Sequence, residues 1–466
     1  MQRQLKLSDS ILTRSRKNKI ISHLTTARLL LFGFLLIILI GTLLLLLPFS
    51  TKKDKSINFI DALFTATSAT CVTGLSVTPT AGTFSTFGQI VILVLIQIGG
   101  LGFMTFTSFF YSMLGKKLTL RRRLTMSEEM SQNSMQGLKS IAIKIMILAL
   151  GAETIGIVFL TIGFCIQGVP FGTSLWYGLF HSVSAFCNAG FDIVSVTGVS
   201  LVDYNNNYLI LITLALLIGF GGLGFIALVD VFEHKKFSKW SLHTKVVVVM
   251  TLALTFGGAF IFWLAERKNP DTIGNMSLLG QWVNCYFHSV SNRTAGFACI
   301  PVDKMRNLSI SLSMALMFIG AAPGSTGGGI KVTTLYILIA YVIATLKQKK
   351  EYVVDKKSIG TNILAKASST VLLAMFILFI SAMLIFTAEN NKGTENLLML
   401  IYEQISAYST CGLSMGVTSK MSTLSKLVII IDMYLGRIGA FTFFMSFAKS
   451  NREISKIKYP EANINV

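Results

Sequence analysis

Residues 291–297 read Ser-Asn-Arg-Thr-Ala-Gly-Phe. Similar turns occur three more times, as Ala-Thr-Cys-Val-Thr-Gly-Leu at 69–75, Ala-Phe-Cys-Asn-Ala-Gly-Phe at 185–191 and Tyr-Ser-Thr-Cys-Gly-Leu at 408–413. Each turn ends a short, semi-polar segment, and the four turns are spaced 106 to 116 residues apart at their glycines, Gly74, Gly190, Gly296 and Gly412. The chain is therefore built from four copies of one unit.

Long apolar segments flank the turns. A bilayer core about 30 Å thick needs roughly 20 apolar residues as helix. Eight segments reach or approach that length: 27–48, 86–111, 140–166, 207–231, 245–265, 308–346 (interrupted), 368–388 and 423–448. Within each copy a shorter segment separates the two spans: 58–70, 173–187, 278–291 and 396–409. Each copy crosses the membrane twice, so all four copies have the same orientation and are related by an axis along the membrane normal.

The predicted fold class is an all-α integral membrane protein. It has four parallel helix–pore helix–helix repeats around a central ion pathway, with pseudo-fourfold symmetry. The predicted parts are a cytoplasmic tail at 1–26, pore repeat 1 at 27–111, a cytoplasmic connection with repeat 2 at 112–231, a connection with repeat 3 at 232–346, a connection with repeat 4 at 347–448 and a cytoplasmic tail at 449–466.

Composition and charge agree with this architecture. The chain has 466 residues, of which 52% are hydrophobic and only 13% charged. A soluble protein has about 25% charged residues, so the composition argues against a soluble enzyme or DNA-binding protein, and no nucleic acid is expected as a partner. About two thirds of the 41 Lys and Arg residues fall on one side of the predicted spans. Cytoplasmic loops carry such an excess, so we predict a multi-pass protein of the plasma membrane with both termini cytoplasmic.

Four convergent half-helices would form a cation pathway. Each would enter from outside and stop midway, with a C-terminal end that carries about half a negative charge. The turn beyond it is irregular backbone, which is tolerated at membrane depth where it lines a water-filled cavity. Its carbonyls can replace an ion's hydration shell, and glycine allows close approach of backbones. A helix-capping glycine is the alternative for any single turn, but it does not account for four equivalent positions.

These repeats resemble those of the Trk/Ktr/HKT superfamily of potassium transporters, and more narrowly the membrane subunit of bacterial Ktr systems. The resemblance runs from about residue 20 to the end. It is carried by the four turns, by Arg-Thr-Ala-Gly-Phe at 293–297 and by Gly-Ser-Thr-Gly-Gly-Gly-Ile-Lys at 324–331. Trk subunits usually have an additional N-terminal hairpin before the first repeat. This chain has only about 27 residues there, which favours the Ktr membrane subunit. The resemblance implies a potassium selectivity filter of Val72, Thr73, Gly74, Asn188, Ala189, Gly190, Thr294, Ala295, Gly296, Thr410, Cys411 and Gly412.

The resemblance also implies partners and ions. Ktr relatives form homodimers that bind a ring-forming, nucleotide-binding regulatory subunit in the cytoplasm, and sodium stimulates them, whether as an activating or a coupled ion. Membrane lipid is a further partner, and no cofactor is expected on this chain besides transported potassium. Sodium-selective plant relatives often carry Ser in the first turn, so Gly74 favours potassium. A sodium-selective or weakly selective cation channel of the same fold stays open, as does a membrane-embedded enzyme or scaffold.

The second span of copy 3 is interrupted by Gly320-Ala-Ala-Pro-Gly-Ser-Thr-Gly-Gly-Gly329. Five glycines and a proline in ten residues do not form a stable helix. We therefore predict an intramembrane loop over 320–330 that faces the cavity below the filter. A buried kink is the alternative, and the resemblance makes the loop a gate. The candidate gate residues are Gly320, Ala321, Ala322, Pro323, Gly324, Ser325, Thr326, Gly327, Gly328, Gly329, Lys331 and Arg437.

Arg437 occupies the position that Gly100 and Gly222 hold in other copies. An arginine at the bilayer centre costs about 2.5–3.5 kcal/mol on insertion scales, so it should face the cavity and find a partner. Asp432 and Glu153 are candidates for that partner. Arg437 would act with the loop as a barrier to cations, and a buried structural ion pair is the alternative. Lys331 would add positive charge at the gate or extend toward the cytoplasm.

The remaining polar residues indicate no further chemistry. His181 and His288 lie in different pore helices without a supporting cluster, so packing or hydrogen bonding is expected of them. The six cysteines have no metal-ligand spacing, and no transition-metal site is predicted. Asp61 and Glu403 would charge the outer mouth or serve as hydrogen-bonding groups.

Overall fold

The computed structural model describes residues 26–53, 55–102, 138–195, 200–348, 353–354, 357–389 and 396–447. Nearly all regular structure in these residues is helical, and two short antiparallel strands, β1 (Val353–Val354) and β2 (Lys357–Ser358), are the exception. Residues 1–25 and 448–466, which contain nearly all of the two predicted tails, and residues 103–137, which contain the end of predicted repeat 1 and the start of the predicted connection to repeat 2, lie outside the described residues.

The helices follow the predicted order within each copy. Copy 1 contains α1 (Thr26–Leu45), α2 (Phe59–Cys71), α3 (Thr80–Thr83) and α4 (Thr86–Leu101). Copy 2 contains α5 (Leu138–Ile166), α6 (Phe171–Phe186), α7 (Tyr208–Gly222) and α8 (Phe225–Glu233). Copy 3 contains α9 (Leu242–Glu266), α10 (Leu278–Ser291), α11 (Asn307–Phe318) and α12 (Val332–Leu346). Copy 4 contains α13 (Thr361–Glu389), α14 (Leu397–Tyr408), α15 (Thr423–Ile438) and α16 (Ala440–Phe447). Single 3-10 turns lie at Val202–Tyr204, Phe237–Lys239, Val302–Lys304 and Thr418–Lys420.

The second helix is broken in copies 2, 3 and 4, which corrects the expectation of continuous spans at 207–231 and 423–448. Helix α8 is bent by 99° from α7, and α16 by 90° from α15. The breaks fall at Gly224 and Gly439, whose φ angles of +84° and +88° cannot belong to a right-handed helix. Gly102 ends α4 with φ +84°, and residues 103–111 of that predicted span lie outside the described residues. Sequence reasoning expected a break only in copy 3.

Within the described residues, four helices are long and apolar enough to cross a membrane alone, and the two bent pairs raise this to six. The four are α1, α5, α9 and α13, which are the first helices of the four copies. They are apolar around most of their circumference, as expected of helices that face lipid.

The pore helices α2, α6, α10 and α14 form the centre of the molecule. One aromatic ring at an equivalent position in each of them is less than 2% exposed, and these rings belong to Phe64, Phe180, Phe287 and Tyr402. The first and second helices of the copies surround this centre. We call the side from which the pore helices enter the outer side, following the predicted orientation.

Two buried glutamates fasten copies 3 and 4 at their outer ends. Glu266, the last residue of α9, accepts hydrogen bonds from the backbone nitrogen of Arg306 at 2.9 Å and from Oγ of Ser309 at 2.5 Å. Glu389, the last residue of α13, accepts equivalent bonds from the nitrogen of Ser422 at 2.8 Å and Oγ of Ser425 at 2.6 Å. Each carboxylate therefore joins the first helix of its copy to the start of the helix that follows the pore turn.

Glu266→Ala is expected to lower the free energy of unfolding by about 3 kcal/mol. The substitution leaves buried donors without an acceptor, at a cost of about 1–3 kcal/mol each. Unfolding of the detergent-solubilised chain measures the effect. Asp303→Ala, at an exposed position on the same side, is the control and should change stability by less than about 0.5 kcal/mol. Equal stabilities of the two variants would contradict the fastening role.

Candidate ion pathway

The four turn glycines meet in a closed ring, which we call the glycine ring. A Cβ atom added to Gly190 would lie 2.6 Å from the carbonyl oxygen of Ala295 and 2.9 Å from Cα of Gly296. The same relation holds at each step: the added atom meets the carbonyl oxygen of the residue before the next glycine. The order of contact is Gly74, Gly190, Gly296, Gly412 and back to Gly74. Four backbones thus approach one another more closely than any side chain would allow.

The turn backbone adopts the same uncommon conformation in every copy. The ring glycines have φ between +69° and +95°. The residues two positions earlier also have positive φ, although none is glycine: Val72 (59°), Asn188 (57°), Thr294 (72°) and Thr410 (49°). A non-glycine residue in this region costs about 1–3 kcal/mol and persists where its surroundings impose it. The twelve predicted filter residues therefore form four equivalent strained triplets.

A serine near the end of each pore helix fixes its triplet. Its backbone carbonyl accepts from the middle residue of the triplet: Ser68 from Thr73 at 2.8 Å, Ser184 from Ala189 at 2.7 Å, Ser291 from Ala295 at 2.9 Å and Ser406 from Cys411 at 2.8 Å. Two of the hydroxyls also accept from ring glycines, Ser68 from Gly74 at 3.1 Å and Ser406 from Gly412 at 3.0 Å. Sequence reasoning missed these serines. The signal was present, because a serine lies six residues before three ring glycines and five before the fourth.

Copy 3 is one residue shorter at this point. His181-Ser-Val-Ser184 and His288-Ser-Val-Ser291 are identical, yet five residues rather than six lead from Ser291 to Gly296. Arg293 lies in this shortened segment and points to the side, against α9. Its Nη1 donates to the carbonyl oxygen of Thr251 at 3.2 Å, and its Nη2 donates to Oγ1 of the same residue at 3.3 Å. The third triplet is thus tied to a neighbouring helix by an arginine.

The broken helices pack directly on the inner ends of the pore helices. A Cβ atom added to Gly436 would lie 2.7 Å from the carbonyl carbon of Tyr408, and one added to Gly99 would lie 2.8 Å from that of Thr70. Gly221 has the same relation to Phe186 in copy 2. Glycine at these positions lets a helix end reach the pore-helix backbone.

Residues 319–331, which we call the inner loop, connect α11 to α12 at the inner side of the glycine ring. The nitrogen of Gly328 donates to Oγ1 of Thr410 at 3.0 Å. A Cβ atom added to Gly327 would lie 3.1 Å from Cβ of Thr294. The inner loop therefore touches the first residue of two triplets.

The break between α7 and α8 holds the opposite side of the inner loop. The nitrogen of Ala322 donates to the carbonyl oxygen of Gly222 at 3.1 Å, and the nitrogen of Phe225 donates to the carbonyl oxygen of Gly324 at 2.9 Å. A Cβ atom on Gly224 would lie 2.7 Å from the carbonyl oxygen of Pro323. The predicted interruption of copy 3 is thus a defined loop that copy 2 supports.

Arg437 joins the inner loop to copy 1. Its Nη1 donates to the carbonyl oxygen of Thr326, and its Nη2 donates to those of Gly99 and Gly100, the latter at 3.3 Å. Lys331 donates to the carbonyl oxygen of Gly327 at 2.7 Å. Lys331 is therefore bonded within the loop instead of extending away from it.

Among the described residues, no hydrogen bond or ion pair joins Arg437 to Glu153 or Asp432, the two carboxylates predicted as its candidate partners. Glu153 accepts from Nε2 of Gln97 at 3.0 and 3.3 Å. Oδ2 of Asp432 has no hydrogen-bond partner among the described residues. The contacts of Arg437 given above are to backbone carbonyls, a type of partner that a search for acidic residues could not find.

The other candidate polar residues are structural in this arrangement. Nδ1 of His181 lies 2.7 Å from the carbonyl oxygen of Tyr177, and Nε2 of His288 lies 3.3 Å from Oγ of Ser313. Asp61 pairs with Lys426 at 2.9 Å. Buried Glu403 accepts from Oγ of Ser414, Oγ1 of Thr418 and the nitrogen of Met415 at 2.5, 2.9 and 3.0 Å, and so holds the segment after the fourth triplet. No group of three or more metal-ligating side chains occurs in the part of the chain that the structure describes.

Three comparisons with known proteins agree: one with family models, one with related sequences and one with solved structures. A family model described as "TrkH: Cation transport protein" matches residues 33–456. Ktr system potassium uptake protein B of Bacillus subtilis is 39% identical over 96% of this chain and 99% of its own length. Potassium/sodium uptake protein NtpJ of Enterococcus hirae is 37% identical over 96% of this chain and 98% of its own length.

The third comparison, with solved structures, concerns the fold. The crystal structure of the potassium transporter TrkH from Vibrio parahaemolyticus matches with a TM-score of 0.67 at 18% identity, over 89% of this chain and 84% of that one. This match confirms the predicted all-α membrane architecture.

Proposed function

The chain belongs to the TrkH family of cation transport proteins, and from this premise we propose that it takes up potassium through the glycine ring. The predicted resemblance is confirmed. The family consists of membrane transporters and not of enzymes, so the alternative of a membrane-embedded enzyme is excluded. The chain is accordingly a multi-pass membrane protein of a cation uptake family.

The glycine ring is the observation that supports this proposal. Four strained triplets in one conformation place backbone carbonyls of all copies around one axis. Carbonyl oxygens can replace the hydration shell of a potassium ion, and the nearby C-terminal ends of the pore helices add negative potential. The membrane potential then drives uptake with about 2.3 kcal/mol per charge per 100 mV. We assign the ion-binding filter to the twelve triplet residues.

We assign the gate to the inner loop and Arg437. The loop lies at the inner side of the ring, where an ion leaves the filter. Two cationic side chains, Arg437 and Lys331, are bonded to its carbonyls. Positive charge at this point opposes the exit of a cation, so opening requires displacement of the loop and its cations.

Thr410→Val is expected to raise potassium influx through the chain alone by about fivefold. The valine cannot accept the hydrogen bond from Gly328. A buried N–H without a partner costs about 1–3 kcal/mol, and here that cost falls on the closed position of the loop. Influx into vesicles measures the change. Thr410→Ser keeps the hydroxyl and is the matched control, so an equal rise in both variants would contradict a role for this bond.

The remaining features of the system are proposals. The name of the Bacillus subtilis relative, Ktr system potassium uptake protein B, supports a system with more than one protein. We propose that this chain forms a homodimer regulated by a ring-forming, nucleotide-binding cytoplasmic subunit. We also propose sodium stimulation, a plasma-membrane location and two cytoplasmic termini, the last supported by the distribution of Lys and Arg.

A weakly selective or sodium-conducting channel is the second candidate function. The name of the Enterococcus hirae relative, potassium/sodium uptake protein NtpJ, includes both ions. No turn of this chain has the sequence Thr-Val-Gly-Tyr-Gly found in potassium channels. A filter built from shorter triplets would offer fewer dehydrated sites for discrimination.

Gradient-driven flux separates the two candidates. The purified chain is reconstituted in vesicles, and potassium uptake is measured with external sodium and rubidium as competitors. Potassium uptake in preference to sodium, reduced by Gly74→Ser, supports the potassium pathway. Equal uptake of both ions that Gly74→Ser leaves unchanged favours the second candidate. Absence of cation flux in folded chain, with Arg437→Ala also inactive, contradicts both.

A further inference from the structure

Residues 232–245, between α8 and the first turn of α9, expose aromatic side chains next to a membrane-spanning helix. We call this segment the basic turn. Phe232 is 57% exposed and Phe237 is 52% exposed. The rings of Phe237 and Trp240 lie 5.2 Å apart, and Nε1 of Trp240 donates to the carbonyl oxygen of His234 at 2.5 Å. The aromatic rings are therefore held in place although they are not enclosed in the core.

The basic turn also carries several positively charged side chains. Lys235, Lys236 and Lys239 are exposed and have no ion-pair partner among the described residues. Nζ of Lys245 lies 5.8 Å from the ring centroid of Phe237. Lys245 thus lies against an exposed ring, and the other three lysines are close to that ring in sequence.

Two acidic side chains in or next to the basic turn in sequence, Asp230 and Glu233, already have partners. Asp230 accepts hydrogen bonds from the nitrogen of Ser241 at 3.0 Å and from Oγ1 of Thr244 at 2.5 Å, and it contacts Nδ1 of His234 at 2.9 Å. Glu233 is paired with Lys144. Neither carboxylate is ion-paired with the three lysines, so within the described part of the chain their positive charge has no ion-pair partner.

We propose that the basic turn binds the anionic headgroups of lipids in the cytoplasmic leaflet. Tryptophan, with an apolar body and a polar N–H, prefers the headgroup level, and Phe232 and Phe237 add exposed apolar surface beside Trp240. Lysines next to an anionic surface contribute about 1 kcal/mol each. Helix α9 crosses the membrane from Leu242 onward, which places the turn at the edge of the bilayer where both kinds of side chain act together. An acidic surface of a soluble protein is the competing occupant.

The short helix α8 connects the basic turn to the inner loop. Helix α8 is only nine residues long, and its first residue, Phe225, is hydrogen-bonded to Gly324 of the loop. Headgroup binding at one end of α8 therefore fixes the helix that supports the loop at its other end. We expect anionic lipid to change the equilibrium between closed and open positions of the loop. This step rests on the proposed gating function, whereas headgroup binding does not.

Binding is tested on the full chain in vesicles that contain either brominated phosphatidylglycerol or brominated phosphatidylcholine. The readout is the quenching of Trp240 fluorescence, obtained as the difference between the chain and its Trp240→Phe variant. The test variant combines Lys235→Gln, Lys236→Gln and Lys239→Gln. The control combines Lys53→Gln, Lys268→Gln and Lys304→Gln, three exposed positions on the predicted outer side.

We expect phosphatidylglycerol to quench Trp240 more than phosphatidylcholine does at equal mole fraction. A contribution of about 1 kcal/mol is about a fivefold change in binding, so loss of three lysines should weaken the preference by up to about a hundredfold. High ionic strength should weaken it as well. The control variant should behave as the original chain. Equal quenching by both lipids, or an equal effect of test and control variants, would overturn the proposal.

Potassium flux in the same vesicles tests the link to the gate. We expect flux to depend on the fraction of phosphatidylglycerol in the original chain and in the control, and to lose that dependence in the test variant. The link to the gate would be overturned if flux did not depend on the fraction of phosphatidylglycerol while this lipid still quenched Trp240 more than phosphatidylcholine did. The headgroup assignment would be overturned if the lysine substitutions changed flux only in the presence of an added soluble subunit and Trp240 quenching showed no lipid preference. Absence of flux in every chain would count against the potassium pathway, and the quenching result would still decide the binding site.

Discussion

Gly412→Ala is expected to lower the permeability of potassium relative to sodium at least about tenfold. Gly412 has φ +95°, and an added Cβ atom would overlap the carbonyl oxygen of Thr73, with Cα of Gly74 only 3.0 Å away. One of these backbones must move, and a change of about 1.4 kcal/mol in ion coordination is a factor of ten. Reversal potentials or paired potassium and sodium uptake assays measure the ratio.

Gly416→Ala is the matched control for this substitution. Gly416 has a similar φ of +83°, yet a Cβ atom there has no heavy atom within 4 Å among the described residues. Gly416→Ala therefore places an alanine at a similar positive φ, but its Cβ atom meets no neighbouring backbone. We expect its selectivity to equal that of the original chain. Equal selectivity of all three chains, each shown to be folded, would mean that the glycine ring does not coordinate the ion.

Arg437→Ala is expected to raise potassium influx through the chain alone by about tenfold or more. The guanidinium bonds the inner loop at Thr326 and copy 1 at Gly99. A hydrogen bond to a charged group contributes about 1.5–3 kcal/mol, and each 1.4 kcal/mol shifts a two-state equilibrium about tenfold. Loss of the arginine also removes a positive charge from the exit path. Influx measured without any partner subunit tests the prediction.

Arg437→Lys separates the two effects. A lysine keeps the charge but lacks the planar fork that reaches two backbones at once. If bridging closes the loop, the lysine variant should approach the alanine variant. If charge alone forms the barrier, it should match the original chain. Arg267→Ala is the control, since that guanidinium lies over the ring of Trp263 at 5.2 Å at the outer end of α9, and an increase there equal to that of Arg437→Ala would contradict a specific gate.

Gly412→Ala and Arg437→Ala concern neighbouring parts of one pathway. Thr410 belongs to a filter triplet, and its hydroxyl accepts a bond from the inner loop. Arg437 holds the same loop from the opposite side. Measurements of selectivity on Arg437→Ala and of influx on Gly412→Ala would therefore show how far the filter and the gate influence each other.

The repeats made the candidate site predictable from sequence. Gly74, Gly190, Gly296 and Gly412 recur at similar intervals within similar turns, and parallel copies must bring equivalent positions to a common axis. The glycines then follow from sterics, because only a residue without a side chain permits the close approach. The inner loop was predictable for a similar local reason, since glycine and proline prevent a helix at 320–329.

Other features depend on contacts between copies, which no local pattern contains. The positive φ of Val72, Asn188, Thr294 and Thr410 costs energy that only the surrounding packing can supply. The breaks at Gly224 and Gly439 fall inside apolar segments that are long enough to span the membrane. Hydropathy reports the length of such a segment and not its direction, so the bends of 99° and 90° were not expected.

The sequence by itself determined the fourfold repeat, the membrane fold, the position of the glycine ring and the presence of an inner loop. These depend on residue type, spacing and apolar length, which can be read along one dimension. The tertiary structure decided the partners: the carbonyls of Thr326 and Gly99 for Arg437, the hydroxyl of Thr410 for the loop and Thr251 for Arg293. Backbone carbonyls occur at every residue, so a sequence cannot indicate which of them a buried cation will meet until the copies are packed together.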